Sequence, residues 1–382
     1  MATATRPRGR SATRLAAIAS LRMAAQRISA TTFVRPVEAI AWLGAVQAQD
    51  YLGALWAVGL RLAGAREADV EAALADGSIV RTWPMRGTLH FVAAADARWI
   101  LDLLAPKSVA GAAGRFRALG LDDETFARAR RALAVRLERE GRLARPAVYD
   151  VLERAKVSTE GQRGIHILWR LAQEKFLCFG PREGKQQTFV LFDAWVRGDR
   201  RFKGDEALGE LARRYFTSHG PATASDFAWW SGLKRSDARR AIHLAESQLI
   251  HETLAERVYW LAEPRAVASV ASVASVTLAP RVSRRGAVLL PAFDEFVVGY
   301  SDRSAVLHET QKLAMNRGGG MLNPAVVVDG HVVGTWKRTI ARGKVAFTPS
   351  FFEPLADAEA RAVASAFRRY ADFLGLDVRG AA

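Results

Sequence analysis

The chain has 382 residues, half of them apolar, with 55 Lys plus Arg against 39 Asp plus Glu and a net charge of +16. That length supports a large core in roughly two to four compact units, and the excess of cations selects a polyanionic partner, nucleic acid first, over an acidic metabolite. One cysteine, Cys178, excludes an intramolecular disulfide framework, a four-cysteine zinc site and a cysteine-ligated iron–sulfur cluster, and fits a cytosolic setting.

Residues 1–14 are rich in Arg, Thr and Ala without an acid, which suits a transit peptide or a disordered basic arm that touches phosphate. Apolar periodicity then predicts helices over residues 12–27, 35–45 and 67–75 and a hairpin over 79–92. The second helix carries Val37, Ile40, Ala41, Leu43 and Val46, and Gly44 turns the chain near its end, delivering Gln47-Ala48-Gln49. If that tripeptide is extended, alternation puts both amides on one face with Ala48 behind them, able to hold a water or a sugar between donors and acceptors. Spacing alone leaves open a second reading, two solvated polar residues at a helix terminus.

The same helix, helix, helix, hairpin order returns over residues 126–140, 145–155, 162–173 and 176–192, the last turning at 181–185. It returns again over 208–218, 223–231, 236–247 and 249–261, with Gly220-Pro221 and Gly232 as breaks and a turn at Ala255-Glu256. Three helices plus a hairpin is the winged-helix plan, in which one helix approaches a DNA groove, although any helical protein with a few hairpins parses this way. The Arg235, Arg239, Arg240, His243 stripe fits a recognition helix and equally a solvated helix face.

An alanine-serine-valine repeat over 266–279 reads as a tether or an irregular strand, and no uninterrupted apolar segment reaches the length of a membrane span. Segments 286–299, 325–335 and 344–351 then predict a small β-rich domain, closed by a helix over 357–374. The expected fold class is therefore α+β, tandem winged-helix repeats with a C-terminal β-rich domain. The expected division is 1–110 (basic arm and first repeat, with the two glutamines), 111–200 (second repeat), 201–263 (third repeat) and 264–382 (linker, β-rich domain and last helix).

The seven histidines show no ligand spacing, so no metal or other cofactor is expected, and His90 reads as a hydrogen-bonded core histidine. Gly-x-Ser-x-Gly is absent, and Gly318-Gly319-Gly320 lacks the Lys-Ser/Thr of a phosphate loop, which makes it a flexible hairpin tip. Asp294 and Glu295, adjacent on a strand, would point to opposite faces and mark a structural corner. Arg81, Arg86, Lys337 and Arg338 lie beside Trp83 and Trp336, a mixture that suits phosphate contact plus stacking on a base or sugar, with ordinary packing as the alternative for each tryptophan. The expected DNA-binding set is thus Arg81, Arg86, Arg235, Arg239, Arg240, Trp336, Lys337 and Arg338.

Four stretches carry a resemblance: Leu43-Gly44-Ala45-Val46-Gln47-Ala48-Gln49-Asp50-Tyr51, Arg86-Gly87-Thr88-Leu89-His90, Leu290-Pro291-Ala292-Phe293-Asp294-Glu295 and Gly334-Thr335-Trp336-Lys337-Arg338. They resemble the bacterial winged-helix DNA glycosylases of the YcaQ/AlkZ type, which remove bulky N7-alkylpurines and unhook interstrand crosslinks. The similarity spans residues 14–374. It implies catalysis by Gln47 and Gln49, and because a related branch has Asp in place of the second Gln, Gln49 groups the chain with the AlkZ-like branch. It implies tandem winged helices around a basic concave face, double-stranded DNA carrying alkylated purines as partner, and monofunctional hydrolysis of the N-glycosidic bond. A monomer in the cytoplasm, at the nucleoid when DNA-bound, is expected, without membrane or metal. The alternative is a non-catalytic winged-helix DNA-binding protein or regulator that uses Gln47 and Gln49 for groove contacts. An RNA-binding reading has the charge but no recognisable module.

Overall fold

The computed structural model describes residues 8–198, 200–254, 256–263, 286–318 and 321–379. Expectations for the start of the basic arm, for the 266–279 repeat and for Gly319-Gly320 lie outside the described residues. The fold is α+β, and contacts group the chain into two units, Pro36–Gln49 with Ala68–Leu208, and Met1–Arg35 with Asp50–Glu67 and Gly209–Ala382.

In the first unit the helices Pro36–Leu43 and Glu67–Ala75 and the strands Ile79–Met85 and Thr88–Ala93 form within two residues of their predicted bounds. The second repeat follows as helices Asp123–Glu140, Arg145–Arg154 and Arg163–Gln173 and strands Leu177–Phe179 and Thr188–Leu191. Its first helix starts three residues before the predicted 126, because the Asp122 carboxylate accepts the Thr125 N–H at 2.8 Å and caps the extra turn. Helices Ala94–Gly111 and Ala113–Ala118 lie between the two repeats, beyond the predicted elements; Pro106 interrupts the first of them in sequence without ending it.

The two hairpins of this unit do not stand apart as wings. Arg81 pairs with Phe179, which joins them in one six-stranded sheet in the order Val46–Gln47, Thr88–Ala93, Ile79–Met85, Leu177–Phe179, Thr188–Leu191, Leu143–Ala144. A lone two-stranded hairpin is marginal in water, and edge-to-edge pairing satisfies backbone groups that each would leave open. Trp83 sits in the apolar cluster beneath, with Phe116, Phe126, Leu168, Phe179 and Phe189.

In the second unit the third repeat forms as the helices Gly204–His219, Ala224–Ser231 and Arg235–Ala245 and the strands Leu249–Leu254 and Arg257–Ala262. Thr223 and Asp226 cap the middle helix reciprocally, and Gly232 ends it in the left-handed conformation at φ 74. The helix Arg8–Ala25, expected with the first repeat, belongs to this unit instead: Arg22 lies 3.8 Å from Asp226 and donates to the Pro221 carbonyl at 2.9 Å. The helix Tyr51–Gly59, capped by Asp50, adds to the elements that the sequence predicts.

The β-rich part is a five-stranded sheet in the order Asp377–Val378, Lys344–Phe351, His331–Ala341, Ala325–Val328, Ala287–Leu290, covered by the helix Asp357–Leu374 at its predicted bounds. Trp56, Trp336, Phe347 and Tyr370 pack edge to face between them. Glu295–Val298 is a helical turn rather than a strand, capped by Asp294. The adjacent carboxylates do diverge, Asp294 to Arg61 and Glu295 to the Trp230 indole at 3.0 Å. His219, 3.4 Å from Glu295, is fully buried, and burial holds its imidazole below the ordinary range although Glu295 pulls the other way. Among the described residues no helix is long and apolar enough to cross a membrane.

Candidate active site

Gly44, at φ 81, turns the chain after the helix Pro36–Leu43 so that Val46–Gln47 runs antiparallel to Thr88–Ala93, with Val46 opposite Phe91 and Gln47 opposite His90. One step further on, Ala48 donates its N–H to the Leu89 carbonyl at 2.7 Å. In a regular antiparallel ladder Leu89 would return its own N–H to the Ala48 carbonyl. Here Arg81 takes that carbonyl at 2.9 Å, and the Leu89 N–H goes instead to Gln49 Oε1 at 2.8 Å. The Gln49 side chain thus replaces a backbone carbonyl as the ladder ends. A bulge on the opposite strand sits at the same place: Thr82 pairs with His90 and Met85 with Thr88, so Trp83 and Pro84 together face Leu89.

Gln47 is held differently. Its side chain is buried, and its Oε1 accepts from Arg86 Nη2 at 3.3 Å, while the same nitrogen lies 3.3 Å from His90 Nε2. The two amides expected to share a face are therefore unequal, Gln47 inside and Gln49 exposed, both tied to the hairpin Ile79–Ala93. His90 is buried and hydrogen-bonded, as expected for a core histidine, but its position opposite Gln47 was not legible in the sequence.

The candidate DNA contacts separate by burial. Arg235, Arg239 and Arg240 lie exposed on the helix Arg235–Ala245, whose other face buries Ala238, Ala241, Ile242 and Ala245. Lys337 is exposed, whereas Arg338 is half-buried over the Tyr370 ring, and desolvation lowers its guanidinium despite Asp50 and Glu67 nearby. Arg86 is half-buried beside Gln47. Two expectations need correction. Trp336 is buried and donates its indole N–H to the Leu290 carbonyl at 3.0 Å, so its ring packs inside instead of offering a stacking face. Arg81 is buried over Phe179 and donates to Ala48 and to Gln187 Oε1 at 2.9 Å, so it supports the Gln47–Gln49 segment rather than a phosphate. Trp83, in the core, follows Trp336.

Replacing Arg239 and Arg240 together by Ala should weaken duplex DNA binding and flatten its salt dependence while leaving the thermal unfolding transition in place, because the pair faces away from the helix's packed side. Binding titrations at two salt concentrations check this; unchanged affinity at both would remove the helix from the interface.

A family model for AlkZ-like DNA glycosylases matches residues 40–373. An interstrand DNA cross-link repair glycosylase of Streptomyces sahachiroi is 28% identical over 330 residues, covering 83% of this chain and 85% of the relative. The solved structure of Streptomyces sahachiroi DNA glycosylase AlkZ superposes with a TM-score of 0.76 at 26% identity, covering 96% of this chain and 98% of that one.

Proposed function

The chain belongs to the AlkZ-like DNA glycosylases, hydrolases of N-glycosyl bonds, and from that premise we propose that it releases N7-alkylated purines from duplex DNA and unhooks interstrand crosslinks, with Gln47 and Gln49 at the reacting sugar. The crosslink part of the reading is supported by the Streptomyces sahachiroi relative, whose name is that of a cross-link repair glycosylase. The observation that carries the site assignment is the pair of amides, each with its oxygen fixed by a protein donor, at the end of a strand that closes against a hairpin.

Two neutral amides suit this chemistry. Alkylation at N7 makes the purine cationic, so it departs as a neutral base and needs no general acid. What remains is to place a water at the anomeric carbon and to stabilise an oxocarbenium-like sugar, tasks for oriented dipoles. Gln49 Oε1 uses one lone pair on the Leu89 N–H, and its second lone pair accepts from the attacking water. No lysine stands in the Gln-Ala-Gln segment to form a Schiff base, so the product is an abasic site without strand cleavage. The third repeat acts as a winged helix whose Arg235–Ala245 helix approaches the DNA, and the protein works as a monomer.

Incubation with duplex DNA containing N7-methylguanine should release the modified base and leave alkali-labile sites. Excess EDTA should not change the rate, since the described residues bring no three His, Cys, Asp or Glu side chains together in a metal-binding group. DNA binding without base release would make the protein a non-catalytic binder; loss of activity in EDTA with recovery on adding a divalent cation would replace the mechanism.

A further inference from the structure

A glutamine amide has two flip states of nearly the same shape and opposite chemistry, one presenting oxygen and the other two N–H donors. Only the neighbours decide between them. For Gln47 the deciding neighbour is Arg86, whose guanidinium has donors and no acceptor, so the Gln47 atom 3.3 Å from Nη2 must be the oxygen. The guanidinium is in turn placed by His90. The His90 Nδ1 lies 2.9 Å from the Thr88 carbonyl, an acceptor only, so Nδ1 carries the proton and Nε2 holds the lone pair that Arg86 Nη2 meets at 3.3 Å. The chain of donors is thus directional, from Arg86 to both Gln47 and His90, and from His90 to Thr88.

The backbone supports the same geometry. Arg86 and Gly87 form the two-residue turn of the hairpin, both with positive φ, 53 and 70. Glycine, asparagine and aspartate suit the first of those positions far better than arginine, whose left-handed backbone is strained. The turn carries the arginine back over its own strand, to the cross-strand pair formed by Gln47 and His90.

We propose that Arg86 and His90 are positioning residues for base excision, a polarity clamp that pins the Gln47 oxygen toward the hairpin so that Gln47 meets the substrate as a hydrogen-bond donor. The cation also draws electron density from the amide and strengthens its N–H groups as donors. A donor at this point stabilises the departing base, which gains the electron pair of the broken bond, and it divides the labour with Gln49, whose oxygen receives the water. The clamp rests on the placement of Gln47 at the reacting sugar given above.

The test is single-turnover excision of N7-methylguanine at saturating enzyme, with DNA affinity and thermal unfolding measured in parallel. His90→Leu, which keeps the volume and removes the acceptor, should lower the excision rate by about tenfold with affinity unchanged, the scale typical of lost support to a working residue. His90→Gln, which restores an oxygen near the Nε2 position, should recover part of the loss. Gln47→Glu keeps the shape and pairs with Arg86 but has no donor, and should be as inactive as Gln47→Ala. In a Gln47→Ala background, Arg86→Ala and His90→Leu should cost nothing further. Full activity in Gln47→Glu, or equal rates in His90→Leu and His90→Gln, would overturn the clamp while leaving the assignment of Gln47 intact. Wild-type rates in Gln47→Ala would instead remove the assignment beneath it. Should His90→Leu unfold, Arg86→Ala at the hairpin turn decides: a rate at the wild-type level overturns the clamp, and a loss with retained affinity supports it.

Discussion

Gln47→Ala and Gln49→Ala are each expected to lose excision of N7-alkylguanine by roughly two orders of magnitude while keeping their fold and DNA affinity. The magnitude follows from one preorganised dipole contributing about 3 kcal/mol in the transition state. Retention of the fold follows from where the amides sit. Truncating Gln49 releases the Leu89 N–H at an exposed position, where water takes it up at a cost below about 1 kcal/mol. Truncating Gln47 leaves Arg86 its contact with His90. The double variant should be little worse than the poorer single one, because residues that act on one sugar and one water work as a unit. Gln49→Asp should keep partial activity: a carboxylate still accepts from the water and favours positive charge on the sugar. None of these proteins should release unmodified guanine, which lacks the positive charge that makes its alkylated form a good leaving group. Single-turnover rates with matched binding titrations measure all of this, and wild-type rates in both alanine variants would move the site elsewhere in the chain.

The parts of the fold legible in the sequence are those whose signals are local. Thr223 and Asp226 announce one helix, Gly232 ends it, and the predicted 223–231 becomes Ala224–Ser231. The last helix, with apolar positions from Ala360 to Leu374 at helical spacing, keeps its predicted bounds. What was not legible depends on pairing at a distance. Nothing near Arg22 in sequence points to Asp226, so local signals group the Arg8–Ala25 helix with the first repeat and miss its partner in the third. The site divides along the same line. Gln47 and Gln49 stood out through the resemblance, but Gln47 meets His90 only through a register set by the Val46–Gln47 pairing, and an arginine in a hairpin looks alike whether it faces a phosphate or, as Arg81 does, a carbonyl. For Trp336 a local signal did exist. Val332, Gly334 and Trp336 alternate on the buried side of their strand and Lys337 falls outside, which is the period of a half-buried strand.

Breaking the Arg61–Asp294 pair is expected to have the largest effect on stability, about 3–5 kcal/mol for Arg61→Ala or Asp294→Ala. Both side chains are fully buried and the pair is two-pronged, Nη1 and Nη2 each 2.9 Å from a carboxylate oxygen. Arg61 also donates to the Gln26 carbonyl at 3.0 Å, the Ala57 carbonyl at 2.7 Å and Gln26 Oε1 at 2.7 Å, and Gln26 continues to the Tyr300 hydroxyl at 3.0 Å. One guanidinium therefore ties together the three separate chain segments of its unit, Met1–Arg35, Asp50–Glu67 and Gly209–Ala382. Removing either partner strands an uncompensated buried charge, which costs more than the pair itself contributes. Asp294→Asn should be milder than Asp294→Ala, since an amide still offers one acceptor to Arg61 or to the Phe296 N–H. Arg61→Lys should be severe, because a single ammonium cannot serve a two-pronged carboxylate and three further acceptors. Urea unfolding midpoints rank the four variants. Losses below about 0.5 kcal/mol in both alanine variants, the range of ordinary surface substitutions, would mean that the segments are joined by apolar packing alone and that the pair is dispensable.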